Sequence, residues 1–213
     1  MPSTSLSRLL RILFLLALSA VGTGAHAEFS LQLGARKDAL GAASVSTPHV
    51  RAELLVHAPE GVAPGRPLWL GLQISHQPGW HTYWKNAGDS GLPTELRWQL
   101  PQGLQAGEVA WPVPRVLRVG DLVNYGYEGQ VLLAVPVQVA PGIAASVAPA
   151  GQDALPERLH ASWLVCRVEC IPEDGDFALQ LPLRGAVALN AAAFAQAQAA
   201  QPAALPSGSS AQV

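Results

Sequence analysis

Leu68, Leu70, Leu72 and Ile74 take every second position of one segment, with Trp69, Gly71 and Gln73 between them. A period of two puts the four apolar side chains on one face of a β-strand. Residues 50–56 alternate less regularly, and residues 96–100 alternate again and stop at Pro101. Residues 80–84, 109–111 and 116–119 are shorter extended candidates, and 86–91 and 140–155 read as loops. The run 131–139 is the strongest strand signal, but Pro136 inside it has no N–H to give, which predicts a sheet edge or a bulge. Residues 160–165 and 177–183 predict two more strands. Short strands separated by Gly/Pro turns, as at 58–67, predict an all-β chain folded as an antiparallel β-sandwich. After Asn190 the chain turns to Ala, Gln, Ser and Pro, which predicts a short helix over 191–200 and a disordered tail beyond it.

The first residues carry a different pattern. Arg8 and Arg11 give a positive start, residues 9–20 are otherwise apolar, and Ala25-His26-Ala27 offers small residues where a signal peptidase cuts. Together these describe a secretory signal peptide over 1–27. The apolar run is shorter than the ~20 residues of a spanning helix, so cleavage is expected rather than anchoring. The expected organisation is a signal peptide (1–27), a flexible lead-in (28–47), a sandwich domain (48–190) and a low-complexity tail (191–213). No membrane span is expected after cleavage, and the expected compartment is the periplasm of a Gram-negative type of cell.

Composition narrows the function. Removing 27 of the 213 residues leaves 186, enough for one domain with a self-sufficient core. The formal charge of −2 becomes about −4 without Arg8 and Arg11, so no basic surface for nucleic acid is expected. Two cysteines are too few for a disulfide-stapled scaffold, yet an even number in an oxidising compartment predicts that they pair.

Those cysteines stand as Cys166-Arg167-Val168-Glu169-Cys170. In a straight strand their Cα atoms would lie about 13 Å apart. A disulfide needs them within roughly 7 Å, so a bonded pair requires the chain to fold back or to make one helical turn. Closing so short a loop contributes only about 2 kcal/mol, little for a domain of this size. Exchange chemistry is therefore favoured over stapling. Arg167 favours a thiolate, while Glu169, Glu173, Asp174 and Asp176 oppose it, so no strongly acidified thiol is expected. A static structural disulfide in a binding module is the main alternative. A soft-metal site for Cu(I) built from Cys166, Cys170 and His160 is another, although no second CxxC or Met cluster completes it. A cysteine nucleophile with His81 or His160 as base has no further triad signal. Neither a cofactor nor a resident metal is expected.

A second dense segment is Gly79-Trp80-His81-Thr82-Tyr83-Trp84-Lys85. Alternation places Trp80, Thr82 and Trp84 on one face and His81, Tyr83 and Lys85 on the other. A core strand explains it more simply than a sugar-binding platform, and His81 reads as hydrogen-bonded structure. Asn124-Tyr125-Gly126-Tyr127 reads either as a turn or as an aromatic loop over a site.

These motifs, in order, are GWHTYWKNAGDSGLPTELRW, WPVP at 111–114, NYGYEGQVLLAVPV and WLVCRVECIPE. From about residue 50 to 183 the chain resembles the N-terminal periplasmic domain of the DsbD/ScsB group of thiol:disulfide interchange proteins. The resemblance implies an immunoglobulin-like sandwich with Cys166 and Cys170 as the redox pair, Cys170 forming the mixed disulfide and Cys166 resolving it. It implies a cap over the cysteines in the stretch 119–127, with Leu122, Tyr125 and Tyr127 as candidate covers and Trp80, His81 and Arg167 as supporting residues. The cysteines are closer together than in the DsbD branch. The implied partners are thioredoxin-like periplasmic proteins or disulfide isomerases. Because this chain closes on a polar tail, the implied electron source is a separate membrane-embedded reductase.

Overall fold

The computed structural model describes residues 42–143 and 154–203, all within the unit Lys37–Val213. The expected signal peptide and most of the lead-in lie outside the described residues. Two antiparallel sheets pack face to face. The first has the order β1 (Ser44–Ser46), β2 (Val50–His57), β3 (Trp69–His76), β9 (Gln130–Val139), β6 (Leu104–Ala106). The second runs β11 (Cys170–Pro182), β10 (Ala154–Cys166), β4 (His81–Gly88), β8 (Leu122–Glu128), β7 (Arg115–Val119), with β5 (Glu95–Gln99) also pairing β10. One helix, α1 (Ala191–Ala199), follows. The chain is an all-β, immunoglobulin-like antiparallel sandwich with a short C-terminal helix.

Alternation builds the core. Val50, Ala52 and Leu54 of β2 and Leu72 and Ile74 of β3 point inward, against Leu159, Ala161, Trp163 and Val165 of β10. Each large apolar side chain so buried contributes on the order of 1.5–3 kcal/mol. β9 does not alternate, because both its faces are covered: Leu132 and Ala134 pack outward beneath Phe194 and Ala197 of α1. Gly71 makes room for that contact; a Cβ there would stand 2.8 Å from Leu132 Cδ1 and 3.3 Å from Phe194 Cε1.

Pro136 does not mark β9 as an edge, since β9 lies between β3 and β6. Its missing N–H falls on the β6 side. Gly107 N donates to Pro136 O, but Pro136 has nothing to return, and the β6 ladder stops at Ala106. Pairing resumes only at the isolated bridge of Ala110 with Ala134, so residues 109–111 form no strand. The folded unit also exceeds the expected 48–190 span. β1 falls inside the expected lead-in and pairs β2, and α1 falls inside the expected tail yet buries Phe194.

Two local features position the site. β10 and β11 form one hairpin, in register from Ala154↔Pro182 to Cys166↔Cys170. β4 runs beside the end of this hairpin only at His81↔Cys166 and then leaves it. Tyr83 bridges Pro93, and β5 takes over beside β10 from Glu95↔Ser162 to Gln99↔Arg158. The expected loop 86–91 is therefore partly strand, reaching across to β8 at Gly88↔Asn124. Asn124 Oδ1 accepts from Ser90 N (2.9 Å), and Asp89 Oδ2 accepts from Val123 N (2.8 Å), which ties this excursion down.

Candidate functional site

Cys166 and Cys170 are the last cross-strand pair of the β10–β11 hairpin and are joined by a disulfide. The fold-back demanded by their spacing is thus a β-turn region of three residues, in which Arg167 N donates to Glu169 O at 3.1 Å. The Cα atoms are 4.2 Å apart, the close approach of a non-hydrogen-bonded antiparallel pair. The strand register alone therefore brings the two sulfurs together.

The two cysteines differ in access. Cys166 is 2% exposed and packs with Tyr83, Ala87 and Leu164, whereas Cys170 is exposed. The Tyr83 hydroxyl lies 3.6 Å from Cys170 Sγ. A disulfide sulfur has no hydrogen, so Tyr83 is the donor. His81 Nε2 stands 3.4 Å from the same hydroxyl. Tyr83 is held from behind by Gly91, whose φ is +95° and whose Cβ, if present, would meet the ring at 2.4 Å. Only glycine fits there. Burial pushes the Tyr83 hydroxyl up and pulls the His81 imidazole down, the latter partly offset by Glu128. At neutral pH Tyr83 therefore keeps its proton as a donor and His81 is neutral.

His81 pairs with Cys166, and the Arg167 guanidinium lies over the Trp80 ring at 5.3 Å. The candidate covers are elsewhere. The stretch 119–127 is not a loop but part of the β7–β8 hairpin, which turns at Val119↔Leu122. Leu122 is exposed at the far end of β8 from Glu128, the residue level with Cys166 through His81. Tyr125 is half-buried and edge-on to Trp84, and Tyr127 is buried with its hydroxyl donating to Pro112 O at 2.8 Å. The aromatic ring on the exposed sulfur is Tyr83, which alternation had put on the His81 face without assigning it a role.

The metal alternative fails on geometry. His160 sits six residues before Cys166 on the same strand, roughly 20 Å away, and bonds Asp176 instead. Two of the acids expected to oppose a thiolate are also engaged elsewhere: Asp176 with His160, and Glu173 with His49.

The family described as "Thiol:disulfide interchange protein DsbD, N-terminal" matches residues 52–182. The chain belongs to this DsbD N-terminal family. The fold is similar to that of the N-terminal periplasmic domain of ScsB from Proteus mirabilis, with a TM-score of 0.53 and 23% identity, over 76% of this chain and 60% of that one. The chain thus spans about 60% of the length of the ScsB domain. A further match is the Neisseria meningitidis DsbD N-terminal domain in the reduced form, with a TM-score of 0.31 and 12% identity, over 61% of this chain and 85% of that one. No curated protein matches the sequence.

Thiol–disulfide interchange in a DsbD N-terminal domain requires cysteine sulfur, and this sequence has only two cysteines. Cys166 and Cys170 are therefore the two sulfurs this chain could offer to such interchange. Tyr83→Phe would remove the hydroxyl that donates to Cys170. A bond to an ionised acceptor is worth about 1.5–3 kcal/mol, so the reduced variant is expected to alkylate with iodoacetamide roughly tenfold more slowly at neutral pH. Rates that match wild type from pH 6 to 9 would show that Tyr83 does not act on the thiolate.

Proposed function

We propose that this protein is a periplasmic thiol–disulfide shuttle that exchanges electrons with thioredoxin-like partners, disulfide isomerases among them. Export by the segment 1–27 and supply of electrons by a separate membrane-embedded reductase belong to the same reading. The observation that carries it is the asymmetric pair at the hairpin tip, with one sulfur exposed and the other buried 4.2 Å away in Cα terms. In the reduced protein the Cys170 thiolate attacks one sulfur of a partner disulfide. The partner's S–S bond breaks, a Cys170–partner bond forms, and the partner's other sulfur leaves as a thiolate that takes up a proton. Cys166 then loses its proton and attacks Cys170. The intramolecular disulfide returns, and the partner departs with both sulfurs reduced. Two electrons and two protons pass to the partner; run backwards, the same steps reduce this protein.

The exposure of Cys170 supports its role as the attacking residue, and the shelter of Cys166 supports its role in resolution, because a mixed disulfide can reach only the outer sulfur. The test mixes fully reduced protein with an oxidised thioredoxin-fold protein and counts partner thiols over time. One equivalent of partner reduced per equivalent of this protein oxidised, much faster than with a small dithiol at equal concentration, is the expected result. A rate no greater than the small dithiol's would overturn the proposal.

A further inference from the structure

Both sides of the redox turn lead to one residue, His49, in the bend between β1 and β2. Beyond Cys170, the Glu173 carboxylate is almost fully enclosed, its side chain 7% exposed. Its Oε1 lies 2.7 Å from His49 Nδ1, and its Oε2 accepts from Thr47 Oγ1 (2.6 Å) and Trp163 Nε1 (3.2 Å). On the other arm, Arg167 directly follows Cys166 and lies over Trp80, as a cation over an aromatic face. The other neighbour of that Trp80 ring is His49, with ring centroids 3.9 Å apart. His49 thus bonds Glu173 directly through its ring nitrogen and reaches Arg167 through the Trp80 ring that lies between them.

We infer that His49 is a positioning residue that holds the Cys166–Cys170 turn closed when the disulfide is reduced, and so sets the pair's potential. The inference rests on the interchange reading above for its biological meaning, but not for its measurement. The oxidised turn, already closed by its S–S bond, keeps the clamp in full, whereas the reduced turn loses part of that gain to the chain freedom it gives up by staying closed. The reduced turn depends on the last strand pairs, the contacts of Tyr83 and His81 and these two arms to keep the thiols adjacent. A clamped turn gives Cys166 a high effective concentration of its partner thiol, which favours the disulfide. Releasing the clamp lets the thiols separate, and the disulfide becomes easier to reduce.

The test equilibrates wild type, His49→Ala and His49→Phe with graded glutathione buffers and counts free thiols. His49→Ala takes the ring away from both Glu173 and Trp80 and is expected to move the equilibrium about tenfold toward the dithiol, a rise of ~30 mV. His49→Phe keeps a ring against Trp80 but loses the Glu173 bond, so an intermediate rise is expected, and a second one like it from Glu173→Gln. Urea unfolding of each variant in both redox states provides the control. A larger loss of stability for the oxidised form than for the reduced form goes with the potential rise. Equal losses in the two states and unchanged potentials in all three variants would overturn the inference and leave His49 a packing residue. Because glutathione replaces the protein partner, failure of the shuttle reading would appear separately, as absent exchange with a thioredoxin fold.

Discussion

Exchange with a thioredoxin-fold partner falls by roughly 10³-fold or more when either cysteine is replaced by serine, because each variant forfeits the intramolecular step. The two variants are expected to fail differently. Cys170→Ser removes the exposed sulfur, and no covalent complex should form. Cys166→Ser keeps the attacking thiolate but lacks the group that displaces the partner, so the mixed disulfide should accumulate and appear as a 1:1 adduct on a non-reducing gel. Neither variant should unfold. The crosslink closes a short loop worth only about 2 kcal/mol, and the hairpin retains its register from Ala154↔Pro182 inward. The converse pattern, a trapped adduct with Cys170→Ser and none with Cys166→Ser, would reverse the assigned roles. Undiminished turnover in both variants would remove the cysteines from the reaction.

The second large effect concerns stability. Glu157 lies on the inward side of β10 between Leu155 and Leu159, 0% exposed, and neither carboxyl oxygen has a hydrogen-bond partner. Burial pushes its pKa up to about 8 from an ordinary 4.5. The folded state therefore holds a proton that the unfolded chain gives up. Below pH 4.5 both states are protonated and the group adds no pH dependence. As pH rises from there towards 8, the unfolded chain ionises while the folded one does not, and stability declines by about 1.4 kcal/mol per pH unit. Above that window the penalty levels off. Glu157→Leu is expected to remove the decline, so that its gain at pH 9 exceeds its gain at pH 4 by roughly 5 kcal/mol. Its gain at pH 4 should be smaller, on the order of 1–2 kcal/mol, from loss of an unpaired buried acid. Urea unfolding of both proteins at pH 4, 6, 8 and 9 checks this. Parallel stability curves would show that Glu157 does not titrate in that window.

The sequence pattern carried the sandwich where one face of a strand meets solvent. β2 and β5 read correctly because their inward residues alternate with polar ones, and β3 because Leu70, Leu72 and Ile74 keep the period of two. β10 and β11 are longer than their alternation suggested. Pro156 and Glu157 at one end, and Pro172 with the acids that follow it, look unlike strand, yet each is carried by the register of its partner. α1 has few signals beyond alanine, and its place in the fold depends on one anchor, Phe194, meeting the space left by Gly71. At the site, the C-x3-C spacing required a fold-back but did not choose between a turn and a helix; the strands on either side make it a hairpin. The resemblance pointed to the stretch 119–127 for a cap, whereas the hydroxyl beside Cys170 Sγ is that of Tyr83 on β4, placed there by a handover from β4 to β5 that no local pattern announces. His49 and Glu173 are 124 residues apart, and no periodicity links residues brought together only by two sheets closing.

The claim that Cys166 and Cys170 exchange rather than staple is tested most directly by the reduction potential of the pair. Structural disulfides of secreted proteins lie below about −300 mV. A working shuttle pair must be open to reduction by a thiol partner, and the account predicts a value less negative than that, measured against glutathione and dithiothreitol couples. A potential below about −300 mV, with no thiols released by a reduced thioredoxin-fold protein, would contradict it.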